Sequence, residues 1–235
     1  MKEVALTEEQ FNEFMEFAST YGAYSPTSEP NLVFNRDIML YALHVQKLSG
    51  IRSQEVRALT WEDIHFIKET DDSSRFVVID IKHSLGSTHD EELTIRKLKT
   101  SQSKRTIPLS EEAYDLFLEI KEYEKSRPVQ SEMGLIFANY EGKGINSTYY
   151  CNFIRRIMLS LKKVKNVTYD IYPTLFRKLK VSNMLASGTP LDVVQRYVGH
   201  AVGSATTIQN YDSPSFQQLI DAVHNEKSTN LSTKK

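Results

Sequence analysis

Hydrophobic residues recur at helical spacing along most of the chain. Phe11, Phe14 and Phe17 form one such face, and Thr7 precedes it as a capping residue. Gly188 and Pro190 separate two later helices. The pattern predicts helices over residues 7–18, 38–48, 55–59, 111–125, 147–163, 173–187, 191–198, 205–211 and 216–223.

Three stretches rich in β-branched residues predict strands at 75–82, 92–98 and 105–109. A short polar turn joins the last two, so we expect Lys99 near the tip of a hairpin. The predicted fold class is therefore mainly α with a small three-stranded antiparallel β-sheet.

Composition indicates a globular protein. With 235 residues, 40% hydrophobic and 25% charged, the chain is long enough for one full core. Its single cysteine, Cys151, excludes an internal disulfide framework and a cysteine-based zinc cluster. Without a signal peptide or a long apolar run, we expect a cytoplasmic protein with no membrane partner. The polar tail 227–235 is expected to be disordered.

The net charge of −1 gives no basic excess for nucleic-acid binding, but the charges are segregated. Acidic residues dominate the first 30 positions, and Lys and Arg dominate residues 151–180. Such a distribution permits a basic face on a neutral protein, although a solvated helix face explains a basic run equally simply.

Several scattered polar residues suit one chemistry when taken together. Each has a plain explanation when taken alone. Arg52 could form a surface ion pair with Glu55, and Lys99 could block edge pairing of a strand. Arg177 could be a surface arginine, and His200 could follow a simple helix stop. As a set they offer guanidinium, ammonium and imidazole groups to a phosphate, and a phenol to attack it. The set is Arg52, Lys99, Arg177, His200 and Tyr211.

Four stretches carry a family resemblance: residues 5–14, 50–64, 97–110 and 172–212. They resemble the catalytic domain of the tyrosine recombinases, the phage-integrase family. The resemblance implies that fold for residues 1–226, and it implies that the family's N-terminal DNA-clamping (core-binding) domain is absent from this chain.

The resemblance also implies roles for individual residues. Arg52 and Arg177 would bind the phosphate, Lys99 would be the hairpin lysine and general acid, and Tyr211 the nucleophile. His200 would be the histidine of the Gly-His motif. One position departs from the family: three residues before the second arginine the family usually has histidine, sometimes lysine, and this chain has Thr174.

The implied reaction cleaves and rejoins DNA through a 3′-phosphotyrosine, without a metal, a cofactor or ATP. The implied partners are double-stranded DNA with a specific recombination site, further copies forming a tetramer on that DNA from free monomers, and accessory DNA-bending proteins. The amphipathic segment 215–223 would pack on a neighbouring protomer in the family, and packing on its own core is an equal alternative.

Three other functions stay open on the sequence. A type IB topoisomerase shares the chemistry. A DNA-binding protein that has lost cleavage is suggested by Thr174, because a hydroxyl cannot accept a proton near neutral pH as imidazole can. The third is a helical interaction domain in which these polar residues are ordinary surface residues without a catalytic role.

Overall fold

A computed structural model describes residues 6–21, 29–68, 75–87, 92–98, 103–199 and 219–225. Its helices are α1 (Glu8–Thr20), α2 (Pro30–Ser49), α3 (Ser53–Val56), α4 (Glu111–Tyr123), α5 (Ser147–Lys165), α6 (Pro173–Ala186) and α7 (Leu191–Val198). Its strands are β1 (Ile64–Lys68), β2 (Arg75–Ile81), β3 (His83–Ser87), β4 (Leu93–Lys97) and β5 (Arg105–Leu109). The predicted helix 205–211 and the tail 227–235 lie outside the described residues.

Local capping signals account for the ends of the helices. The Thr7 hydroxyl accepts from the Gln10 backbone N–H, and the Gln10 side chain accepts from the Thr7 backbone N–H, which completes a capping box. Proline occupies the first position of both α2 and α6, where its missing N–H costs nothing. The helix predicted at 38–48 is thus part of a longer helix that already begins at Pro30.

Helix α2 is the centre of the core. It contacts α1, α4 and α6, and its side chains Ile38, Met39, Leu43 and Val45 are fully buried. A helix enclosed on several sides needs apolar residues over more than one face, as α2 has. Since α2 ends at Ser49 and is capped by Gly50, the residues that follow emerge directly from this core.

The three-stranded antiparallel sheet is confirmed, but its membership differs from the prediction. Its order is β1–β2–β5, with β2 central and paired on both edges. No strand was predicted at β1, which pairs with β2 although it contains the polar residues His65 and Lys68. The predicted strand at 92–98 belongs elsewhere.

Strand β4 pairs with β3 in a separate two-stranded sheet, with Leu85 opposite Ile95. The prediction of a hairpin between β4 and β5, with Lys99 near its tip, was therefore wrong. Lys82 alone separates β2 from β3, so the chain leaves one sheet and at once forms a local hairpin with β4. Lys99 falls in the connection between two sheets, and its own position lies outside the described residues.

The C-terminal helical segment, 219–225, packs on the chain's own core. Leu219, Ala222 and Val223 are buried in the main hydrophobic cluster, and His224 meets the ring of Phe76 edge to face. Of the two alternatives for this segment, the isolated chain adopts packing in cis. Among the described residues, no helix is long and apolar enough to cross a membrane.

Candidate active site

The structure describes three of the six predicted site residues. Arg52 precedes α3, while Thr174 and Arg177 lie on the first turns of α6. Lys99, His200 and Tyr211 lie outside the described residues, so their roles stay predictions.

Arg52 is held by Glu55, as its spacing suggested. The Arg52 Nη1 donates to Glu55 Oε1 at 2.8 Å, and the Arg52 backbone N–H donates to Glu55 Oε2 at 2.8 Å. The carboxylate is 1% exposed, whereas the arginine side chain is 43% exposed. Glu55 therefore holds the guanidinium from the protein interior, while part of the Arg52 side chain stays exposed to solvent.

Arg177 is buried, and it connects two distant parts of the chain. Its Nη1 donates to the Gly50 carbonyl at 3.0 Å, and its Nη2 donates to the Val198 carbonyl. The first contact spans 127 residues of sequence. Arg177 is therefore not a surface arginine, the plain explanation that an amphipathic helix offers for it.

A third arginine, Arg105 at the start of β5, completes the cluster. Its Nη2 donates to Glu55 Oε2 at 3.0 Å and its Nη1 to Glu55 Oε1 at 3.3 Å, so one carboxylate joins Arg52 and Arg105. The Arg105 side chain is 5% exposed. Sequence reasoning gave Arg105 no role. The sequence does show a charged residue at the start of a buried strand, but nothing near Arg105 in the chain indicates its partner Glu55, which lies 50 residues away.

These three guanidiniums meet at the carboxyl end of α7. Arg105 Nε donates to the Tyr197 carbonyl at 2.9 Å, Arg177 to Val198, and Arg52 Nη2 to the Gly199 carbonyl at 3.2 Å. Three consecutive carbonyls thus receive one arginine each. The last carbonyls of a helix lack partners within it and carry partial negative charge, so cations are favoured there.

A glycine is needed where α7 ends. Gly199 adopts φ of 66°, and a Cβ there would lie 2.9 Å from Arg105 Nη1. Both the left-handed backbone and the close approach of the arginine thus require glycine. This geometry sets the direction in which the chain leaves α7 toward His200.

The cluster is electropositive, with three guanidiniums against the carboxylate of Glu55. Burial, followed by the positive charges of Arg52 and Arg105, lowers the pKa of Arg177 to about 10. Burial alone would raise the pKa of Glu55, but hydrogen bonds and charge from Arg105, and then bonds from Arg52, hold it below its usual value. The remaining positive charge favours an anion.

Polar groups beneath the cluster fix the two segments that carry Arg52 and Thr174. Gln46 is buried and donates to the carbonyls of Ile51 and Pro173, both at 3.3 Å. The buried Tyr150 hydroxyl donates to the Gln46 side chain at 2.9 Å. Thr174 itself is exposed, one helical turn before Arg177.

The predicted basic face of residues 151–180 is divided by the fold. Arg155, Arg156 and Lys163 are exposed on α5. Arg177 and Lys180 instead point inward, and Lys180 Nζ lies 5.4 Å from the ring centroid of Tyr197. Part of the basic run therefore belongs to the cluster and part to the outer surface.

Comparison with known proteins agrees on one family. The sequence profile described as "Phage integrase family" matches residues 5–218. An integrase of Streptomyces ambofaciens is 29% identical over 175 residues, a match that covers 71% of this chain and 42% of that protein. The chain therefore spans less than half the length of this relative.

Solved structures share the fold. The Tn1549 transposon integrase, in complex with a circular intermediate DNA, superposes with a TM-score of 0.65 at 18% identity, over 98% of this chain and 66% of that one. The XerH site-specific recombinase bound to difH gives a TM-score of 0.54 at 17% identity, over 98% and 53%. XerA recombinase gives 0.55 at 14% identity, over 99% and 64%.

Proposed function

The chain belongs to the phage integrase family, and we propose that it is the catalytic part of a site-specific DNA recombinase that works through a 3′-phosphotyrosine. One observation carries the proposal: Arg52, Arg105 and Arg177 converge where α7 leads into the segment that bears His200 and Tyr211. Such a cluster suits the charge that develops on a phosphate under attack.

Arg52 is equipped to bind a phosphate. A guanidinium has five N–H donors, and through Nη1 and Nη2 the Arg52 side chain donates one bond each to Glu55 and Gly199. Its side chain is 43% exposed, and among the described residues no further side-chain hydrogen bond of Arg52 is present. A fixed guanidinium with free donors binds phosphate oxygens with defined geometry.

The proposed reaction has two symmetrical steps. The Tyr211 oxygen attacks the phosphorus of a DNA phosphodiester, forming a phosphotyrosine on the 3′ side and displacing the 5′-oxygen. The phenol gives its proton to water, and the departing oxygen gains one from Lys99. A 5′-hydroxyl then attacks the phosphotyrosine in reverse. The phosphodiester energy is kept, so the reaction as proposed needs neither ATP nor a metal.

Cations near the tyrosine matter because a free phenol has a pKa of about 10. Only about one molecule in a thousand is then ionised at pH 7. Nearby guanidiniums favour the phenolate, and the arginine cluster supplies that charge.

We propose double-stranded DNA with a specific site as substrate, a tetramer assembled on it, and accessory DNA-bending proteins as further partners. The structural relatives bound to DNA support the choice of substrate.

Thr174 supports a second candidate, a DNA-binding protein of this fold with impaired cleavage. Its exposed hydroxyl lies one turn before Arg177, where it can donate a hydrogen bond to a phosphate but cannot serve as a base near neutral pH. A type IB topoisomerase-like activity is the remaining alternative, distinguished by its lack of strand exchange.

Covalent trapping tests the proposal. The chain is incubated with duplexes that carry a randomised central segment, and complexes resistant to SDS are recovered and sequenced. A nicked substrate built on the selected site then accumulates the adduct, because the fragment beyond the cut diffuses away. We expect an adduct from the wild type and none from Tyr211→Phe, with DNA affinity unchanged within a few-fold.

The outcomes separate the three functions. An adduct that persists in Tyr211→Phe removes Tyr211 as nucleophile. Binding without an adduct, with cleavage gained in Thr174→His, identifies the cleavage-impaired protein. Relaxation of supercoiled plasmid without site preference or strand exchange identifies the topoisomerase.

A further inference from the structure

Arg105 and Glu55 form a buried ion pair beneath the predicted site. Their side chains are 5% and 1% exposed, and two guanidinium nitrogens bind the two carboxylate oxygens. Desolvating both charges is costly, and burying an apolar pair of the same size is often at least as stable. Stability alone is therefore a poor explanation for these two residues.

The contacts of Arg105 point instead to the geometry of the site. Through Glu55 it is connected to Arg52, which binds the same carboxylate. Through Nε it holds the Tyr197 carbonyl, and its guanidinium fills the space where Gly199 lacks a Cβ. The same side chain thus fixes an exposed guanidinium and the end of α7.

Arg105 also binds the chain that leads to it. Its Nη1 donates to the Ser103 carbonyl at 3.0 Å, at the end of the connection in which Lys99 lies. One buried side chain therefore contacts, directly or through one carboxylate, three parts of the described chain: Arg52, Ser103 and the end of α7.

We propose that Arg105 is a positioning residue for strand cleavage, which sets Arg52 through Glu55 and sets the exit of α7 through Tyr197. The inference rests on the proposed function. Arg105 is not assigned a contact with DNA, because its side chain is buried and its donors are directed at protein acceptors.

The test compares Arg105→Met and Arg105→Lys with wild type in single-turnover cleavage of the nicked substrate, at saturating protein. We expect the rate to fall on the order of tenfold to a hundredfold in Arg105→Met, because a small misplacement of a group at the reacting centre can cost about a hundredfold. DNA affinity should change by less than about threefold, since no DNA contact is lost. Lysine keeps the charge but not the fork, so Arg105→Lys should recover part of the rate.

Arg127→Met is the matched control. Arg127 is also a buried arginine paired with a carboxylate, Glu124, but it lines a pocket beside Trp61 and Lys121. Its loss should lower the melting temperature comparably and leave the cleavage rate of the folded protein near wild type. An equal loss of rate in both variants would make the Arg105 effect one of general stability.

A double-variant cycle with Arg52→Ala measures whether the two residues act together on the cleavage rate. A purely structural role of Arg105 would give no such coupling. If Arg105 acts through Arg52, Arg105→Met should slow Arg52→Ala much less than it slows wild type. Independent, multiplicative losses would overturn the inference while leaving the recombinase intact. A wild type that forms no adduct under any condition would refute the proposed function itself, and the role of Arg105 with it.

Discussion

At the scale of single residues, the arginine cluster is the feature that separates this chain from an ordinary helical domain. Arg177 is buried next to two other guanidiniums, and burial, followed by their positive charges, lowers its pKa to about 10. An anion placed there relieves like-charge repulsion in the folded state. Ligands that bind only the native state raise its stability, and the gain grows with the logarithm of ligand concentration once this exceeds Kd.

Inorganic phosphate should therefore stabilise the DNA-free protein through this cluster. We expect a higher melting temperature in phosphate than in chloride at equal ionic strength, with a smaller gain in Arg52→Gln. Thermal denaturation followed by circular dichroism measures both. The variant also controls for the general salting-out effect of phosphate, which acts on both proteins alike. Equal gains would show that phosphate does not use Arg52.

Gly199 permits a second prediction at this scale. Gly199→Ala should lower the free energy of unfolding by more than about 1 kcal/mol, from the left-handed backbone and a Cβ only 2.9 Å from Arg105. Gly134→Ala is the matched control, since Gly134 has the same φ of 66° but no atom within 4 Å of its would-be Cβ. Urea denaturation compares the two. Equal losses would show that Arg105 yields to the added methyl at no cost.

Sequence reasoning worked best for residues whose partners are close in the chain. Arg52 and Glu55 are one turn apart, so their ion pair followed from spacing. Arg105 has its main partner 50 residues away, and nothing local indicates it. The burial of Arg177 depends on its hydrogen bonds to the carbonyls of Gly50 and Val198, which the local pattern of an amphipathic helix does not indicate.

At the scale of secondary structure elements, the helix between Pro190 and Gly199 was predicted closely, whereas the prediction for α2 missed its start at Pro30. Helix α7 was predicted at 191–198 and is Leu191–Val198. The strands were harder, because pairing partners decide strand membership. The stretch 92–98 has strand composition, yet whether it joins β5 or β3 depends on the turn that precedes it.

The C-terminal helical segment, 219–225, carries the prediction that belongs to this scale. Leu219→Ala should lower the free energy of unfolding by about 2–5 kcal/mol, since it removes a side chain that is 2% exposed in the main core. Leu191→Ala, on a side chain 55% exposed, is the control and should cost little. Chemical denaturation of the DNA-free protein measures both. A negligible effect of Leu219→Ala would favour packing of this segment on a neighbouring protomer instead.

At the scale of the whole molecule, acid should destabilise the fold through a few carboxylates. Burial would raise the pKa of Asp80, but hydrogen bonds from Thr106, Lys82 and His65 lower it to about 2. The pKa of Glu112 is lowered first by its hydrogen bond with His44, and that of Glu55 by Arg105 and Arg52 against the effect of burial. Groups with a lowered pKa stabilise the fold above the unfolded pKa of about 4, and this stabilisation is lost as pH falls.

The free energy of unfolding should therefore decrease as pH falls from about 5 toward 2. Asp80→Asn should flatten the lower end of that curve, because asparagine keeps the size and shape of the side chain but does not titrate. Urea unfolding at a series of pH values tests this. An unchanged slope in Asp80→Asn would assign the acid sensitivity to Glu55 and Glu112.

The arginine cluster has a consequence for the order of folding. Its contacts join residues 50, 127 and 147 positions apart in the chain. Contacts of such separation form only after long loops close, and they slow folding relative to helix formation. During synthesis, Arg52 leaves the ribosome well before the α7 carbonyls that receive the three guanidiniums. We therefore expect helical structure to form first and the arginine cluster to be among the last parts of the protein to take shape.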